Sequence, residues 1–223
     1  MTREEAIIGE YKAYLSNAGF PCVAAKAALA QDSVKCYVFD DMRNDKADGA
    51  ILEALYDFVD YYRQSGGIYH SVAIIFDGTE IENEEAFEQL LWQKLESLRN
   101  LDKEKFQHDP RVDSDPLQPS YSFSIKEEAF FIIGIHPKSN RTARRFKYPT
   151  LVFNPHAAFE KLRKANKYEA IKRVVRKRDM RYSGSVNPML KDFGTQSEVY
   201  QYSGIQHPPE WKCPLADNNE PNG

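Results

Sequence analysis

The stretch "FFIIGIHPKSNRTARRF", residues 130–146, carries an imidazole out of an apolar run and follows it with three guanidinium groups. If the run is a strand, alternation places Ile132, Gly134 and His136 on one face. Gly134 would leave that face open to a flat ligand, and Pro137, without an amide proton, would end the ladder just past His136. Arg141, Arg144 and Arg145 then offer planar cationic forks of the kind that pair with carboxylates. Haem matches such a set: a flat apolar macrocycle, an iron that takes neutral imidazole, and two propionates in need of cations. The competing reading is a structural histidine beside a solvated basic loop, because buried imidazoles without metals are common. Residue types alone leave both open.

His156 is the rival ligand. In "NPHAAFEKLRKA", Asn154 is expected as the N-cap and Pro155 as the first helical residue, which puts His156 second. There the positive end of the helix disfavours imidazolium and keeps a lone pair available for a metal or a proton. The plainer alternative is a helix-start residue turned to solvent. His70 alternates with apolar neighbours and reads as core, while His108 and His207 have no recognisable partner in sequence. Cys22, Cys36 and Cys213 are odd in number and widely spaced, without a CxxC pair, so neither a disulfide framework nor structural zinc is expected. The glycine-framed cysteine loop of cytochromes P450 is missing, and Cys22 and Cys213 read as small buried residues. No Walker A loop, GxGxxG, GxSxG or HExxH pattern occurs.

These side chains need elements to hold them. An amphipathic helix is predicted to about Leu15, a strand over "VKCYVFDD", and a strong helix over "GAILEALYDFVDYYRQSGG" ending at Gly66 and Gly67. "IYHSVAIIFDG" reads as a central strand and residues 84–99 as a further helix with acids first and Arg99 last. Residues 100–120 form a long loop of the kind that often serves function. "YSFSIKEEAFFIIGIHP" reads as two strands turning near Lys126 and Glu127, and "TLVF" as another. Helices over "NPHAAFEKLRKA" and "KYEAIKRVVRKRDM" follow, the second with Tyr168, Ile171, Val174 and Val175 inward, and one helical turn is expected between Ser197 and Tyr202. The interleaving lacks a regular βαβ beat, so the fold class is α+β: one domain, a mostly antiparallel mixed sheet with flanking helices. Residues 1–213 are expected to form that domain and 214–223 a disordered tail.

The 223 residues are enough to bury a core unaided, and 42% hydrophobic with 28% charged residues is a globular composition. No apolar run approaches a membrane span, and the acidic, amphipathic N-terminus is no secretory leader, so the expected compartment is the cytoplasm. Residues 136–182 hold 15 of the 30 Lys and Arg. Without an accompanying nucleic-acid-binding motif, the run reads as a solvated helix face rather than a nucleic-acid site.

Six segments in order, "FPCVAAKAAL", "FFIIGIHPKSNRTARRF", "PTLVFNPHAAFEKLRK", "RKRD", "YSGSVNPMLKDFG" and "QYSGIQHPPEWKCPL", resemble the YqcI/YcgG family over nearly the whole chain. Studied members of that family are haem-dependent enzymes that hydroxylate a guanidino nitrogen of arginine or a cyclic arginine relative, in pathways such as D-cycloserine and guanitoxin biosynthesis. The resemblance implies non-covalent haem b, dioxygen, an electron-donating reductase as partner, and L-arginine or an arginine-like amino acid as substrate. It makes His136 the candidate iron ligand, with His156 as alternate or catalytic proton carrier, and Arg141, Arg144 and Arg145 the propionate partners. Glu198, then Asp192, are candidate carboxylates for the substrate's guanidinium, with Ser183, Ser185 and Asn187 for its amino-acid end. The other function class is a haem-binding sensor or carrier without turnover, for which the same histidines and arginines suffice. Whether the chain pairs as a homodimer is left open.

Overall fold

In the computed structural model, residues 1–187, 193–208 and 210–216 are described. Asp192 and the stretch 217–223 lie outside them. The described residues form six α-helices and a five-stranded open sheet in one α+β domain. In chain order these are α1 (Arg3–Ser16), α2 (Val23–Ala30), β1 (Val34–Phe39), α3 (Asp48–Ser65), β2 (Ser71–Phe76) and α4 (Glu84–Asp102). They are followed by β3 (Phe123–Ile125), β4 (Glu128–Ile135), β5 (Thr150–Pro155), α5 (His156–Lys164) and α6 (Tyr168–Ser183). Sheet order is β1-β2-β5-β4-β3, parallel between β1 and β2 and antiparallel elsewhere.

Strand alternation divides the core between the two faces of the sheet. Val72, Ile74, Phe76, Phe130, Ile132, Leu151 and Phe153 meet the apolar sides of α3 and α4. Ala73, Ile75, Ile135 and Val152 meet Ile7, Tyr11 and Leu15 of α1 with Phe20 and Ala28. The β3–β4 hairpin turns on Lys126 and Glu127, with φ of 52° and 56°, the left-handed pair that matches strand twist. α3 stops at Gly66, where φ is 63°. Behind these helices Asp48 and Lys94 form a buried ion pair, and Ser97 also donates to Asp48.

Several expectations are corrected. α2 was not anticipated, because its alanine-rich run carries no apolar stripe of its own. β5 runs on through Pro155, so His156 is the first helical residue, and Asn154 is no cap: its amide donates to the Phe131 carbonyl at 3.2 Å. Val174 on α6 faces out at 46% exposure; α6 is instead held by polar bonds, Arg178 donating to the Ala18 and Phe20 carbonyls between α1 and α2. Chain past residue 213 is not all tail, since Leu215 is fully buried in the core against α3 and α4.

The face carrying Ile132, Gly134 and His136 lies under α4, and at Gly134 side chains of the helix press close on the strand. A Cβ there would sit 2.6 Å from Phe87 and 2.8 Å from Leu91. Gly134→Ala should therefore destabilise the fold by about 1–3 kcal/mol through overpacking, read as a drop in Tm of about 3–10 °C. Gly9→Ala on α1, where a Cβ meets nothing within 4 Å, should be neutral or stabilising by up to about 1 kcal/mol. Equal effects at the two sites would show that the close approach is not what fixes Gly134.

Candidate functional site

His136 closes β4 as expected, but into packed core rather than an open face. Its ring lies on Phe87 with centroids 4.1 Å apart and planes 17° apart, and Phe87 and Leu91 fill the notch at Gly134. The expected gap for a flat ligand is thus occupied by α4. Neither ring nitrogen of His136 has a hydrogen-bond partner among the described residues, and burial, then the Arg144 charge, pushes the imidazole down to about 4.

The three arginines are committed to protein groups. Arg141 pairs with Asp179 at 2.6 Å and donates to the Ser185 hydroxyl and carbonyl. Buried Arg144 donates to the Tyr202 carbonyl at 3.0 Å, and Arg145 to the Ser139 carbonyl at 2.9 Å. Ser183 accepts from the Ala143 amide, and the Asn187 amide reaches Asp179, so Ser183, Ser185 and Asn187 brace this loop instead of lining the cavity described next. His207 and His108 do have partners: the former lies 2.9 Å from Glu88 and stacks on Trp211, and the latter bonds the Asp113 carbonyl at 3.0 Å.

Two sequence candidates, His156 and Glu198, do converge. They line one cavity with Phe131, Phe159, Arg163 and Gln201, and with Tyr168, Phe193 and Gln196 at its other walls. The cavity is half open to solvent and has a volume of about 90 Å³, within about 480 Å³ of unfilled space that includes the mouth. His156, Phe159 and Arg163 stand at i, i+3 and i+7 on α5 and so share a helix face, a spacing that could have revealed the wall from sequence. Phe131 faces Asn154 across the β4–β5 ladder, two residues before His156. Glu198 comes from a 3-10 turn, Glu198–Gln201, whose Tyr202 carbonyl accepts the Gly134 amide at 2.7 Å.

Burial sets the protonation states here. His156 is pushed down to about 4, chiefly by desolvation, and its Nε2 has no hydrogen-bond partner among the described residues. Glu198 is pushed up to about 8 by burial, although its Oε1 accepts from Ser122 and Tyr202, each at 2.7 Å. At neutral pH the cavity therefore pairs a neutral imidazole with a neutral carboxylic acid, so in the free protein Glu198 is a proton donor and not the expected standing carboxylate. Gln201 Oε1 is a buried acceptor without a donor among the described residues. Arg163 supplies the cation, paired with Glu160 and lying 4.5 Å over the Tyr168 ring.

Against known families, the model of the YqcI/YcgG family matches residues 11–216. This chain belongs to the YqcI/YcgG family. It is 25% identical over 182 residues to the uncharacterized protein YcgG of Bacillus subtilis (strain 168), covering 78% of this chain and 71% of that one. Identity to the uncharacterized protein YqcI of the same organism is 27% over 190 residues, covering 81% and 72%. No solved structure matches significantly. Membership in the YqcI/YcgG family brings no activity with it from these two relatives. Among the described residues no group of three or more His, Cys, Asp or Glu side chains is placed to hold a metal ion, and no helix is long and apolar enough to cross a membrane.

Haem, implied by the YqcI/YcgG resemblance, makes a smaller demand than a side-chain metal cage: one axial donor, apolar walls and a cation. The residues at His156 fit in donor chemistry, with an orphaned neutral nitrogen, aromatic walls and Arg163. Those at His136 do not, because Phe87 and Leu91 occupy its face. Phe193, its ring centroid 4.2 Å from that of His156, fills ground that a macrocycle would take, so binding requires that ring to move.

The raised Glu198 binds a proton in the folded state that the unfolded chain surrenders, so its stabilisation is present below pH 4.5 and lost as pH climbs to about 8. The lowered histidines act oppositely, costing stability as pH falls from 6.5 towards 4. Glu198→Gln, an isostere of the neutral acid, should remove the alkaline loss: its Tm relative to wild type should rise by at least about 3 °C between pH 5 and pH 8.5. A pH-independent difference would show that Glu198 is already ionised in the folded protein.

Proposed function

We propose that the His156 cavity is the centre of a haem-dependent oxygenase that hydroxylates a guanidino nitrogen of L-arginine or an arginine-like amino acid. The observation that carries the reading is the unpartnered Nε2 of a buried, neutral imidazole on an aromatic-walled cavity. His156 is the iron ligand in this reading, in place of His136, and Arg163 takes a propionate in place of Arg141, Arg144 and Arg145. When bound, haem supplies dioxygen activation, with electrons from an external donor, and delivery of one oxygen to an N–H bond.

The chain's own groups handle the substrate. Gln201 Oε1, an acceptor without a donor among the described residues, takes an N–H of the guanidinium. Glu198 is a neutral acid until a cation arrives; the guanidinium then favours its carboxylate, and a proton leaves as the ion pair forms. Substrate binding is therefore coupled to proton release, and affinity rises with pH towards about 8. Phe131 and Phe159 keep water from the reacting atoms, which strengthens each polar contact made there.

Hemin titration followed by absorption tests the ligand. Wild type and His136→Ala should take up hemin with a Soret band, and His156→Ala should bind at least about tenfold more weakly. The opposite pattern returns the iron to His136, and no Soret band in any variant ends the haem reading. With reductant, dioxygen and arginine, hydroxyarginine should appear by mass spectrometry, and Glu198→Gln should raise the substrate's apparent Kd by about tenfold while leaving haem content unchanged. Full haem loading without product would instead favour the sensor or carrier.

A further inference from the structure

A second and larger cavity, about 410 Å³, lies at the far end of α4, where that helix meets the loop after it and the approach to β3. Its volume falls in the range of roughly 300–1,000 Å³ usual for small-molecule sites. Arg99, Asp102, Lys103, Phe106, His108 and Tyr121 are among its walls. Nothing in the proposed oxygenase chemistry uses them.

Arg99 is the unexplained group. It is 8% exposed, and its Nη1 donates to the Leu215 carbonyl at 3.1 Å. Nε and Nη2, the two N–H groups along one edge of the guanidinium, have no partner among the described residues. A buried charged donor left unpaired is costly, and such groups in native proteins have a function or an unseen partner. Tyr121, 1% exposed, contributes a hydroxyl that is likewise unpartnered. The Arg99 edge is the one that grips a carboxylate through two parallel bonds.

The remaining walls narrow the ligand. Asp102 is buried here and accepts the Lys126 amide at 3.1 Å; burial raises its pKa, and a ligand bearing two negative charges would lie beside its carboxylate. With Asp102 offsetting one of the two cations on the wall, Arg99 and Lys103, a single negative charge suits the site. Phe106 and the ring of His108, backed by that of Tyr121 at 6.2 Å, offer flat surface to the rest of the molecule.

We propose that this cavity binds a small organic monocarboxylate with a flat apolar body, gripped by the free edge of Arg99 and the Tyr121 hydroxyl once the wall that now covers these atoms from solvent shifts aside. The inference stands independently of the haem reading, because no residue is shared between the two cavities.

Calorimetric titration of the whole chain with sodium benzoate tests it. Benzoate should bind one to one with a Kd below about 1 mM. Tyr121→Phe should weaken it about fivefold and Arg99→Lys, which removes the fork, at least tenfold, with thermal melts checking that both variants fold. Because Arg99 also holds Leu215, an unfolded Arg99→Lys leaves the decision to Tyr121→Phe. His156→Ala should leave benzoate binding unchanged. The proposal is overturned by the absence of saturable heat up to about 10 mM, by inorganic phosphate binding as tightly as benzoate, by unaltered binding in Tyr121→Phe, or by loss of binding in His156→Ala.

Discussion

The carbonyl of Tyr202 is the point on which the functional end of this molecule depends. β4 outruns β3, which pairs only with Glu128, Ala129 and Phe130, so the later residues of β4 have no strand on that side. Buried backbone donors without partners are costly. The chain solves this by laying residues 198–204 along the edge: the Tyr202 oxygen accepts both the Gly134 amide and the Arg144 guanidinium. The Tyr202 hydroxyl then accepts the Phe123 amide and donates to Glu198. One residue thereby joins the sheet edge, the loop after β4 and the acid of the cavity.

The guanidinium-rich loop is explained by the same arrangement. A chain that folds back over the end of β4 exposes carbonyls to the interior, and arginine's five donors can satisfy several at once. Arg144 is buried deeply enough that its pKa is pushed down to about 10, a state compatible with carbonyl acceptors and unlike that of a surface cation awaiting a propionate. His136 belongs to this scaffold too, its amide donating to the Arg144 carbonyl at 3.0 Å while its ring supports Phe87. Cationic residue types mark an anion site only when donors are left over: those of Arg144 go to carbonyls, whereas among the described residues Arg163 pairs through Nη1 with Glu160 and Arg99 keeps Nε and Nη2 without a partner.

Much of the architecture was legible because it rests on local periodicity. α3 and α4 carry unbroken apolar stripes, and the positive-φ pair at Lys126 and Glu127 falls where two β-rich runs meet. What stayed hidden depends on partners far apart in the chain. α2 has too short and uniform a run to show a face, and α6 owes its place to Arg178 reaching carbonyls about 160 residues away rather than to its valines. Of the site, His156 and Glu198 could be nominated by type and motif, but their shared cavity follows from the edge closure of β4, and the protonation of Glu198 follows from burial that only packing creates.

The burial of Cys213 and Leu215 among the side chains of α3 and α4 bears on how this protein is made. A ribosome emits the sheet and its helices long before those residues, so the nascent polypeptide carries an unfinished interior until the exit tunnel has released position 215. Until then the greasy surface of the helices stays uncovered, and that is the interval in which a chaperone would find it.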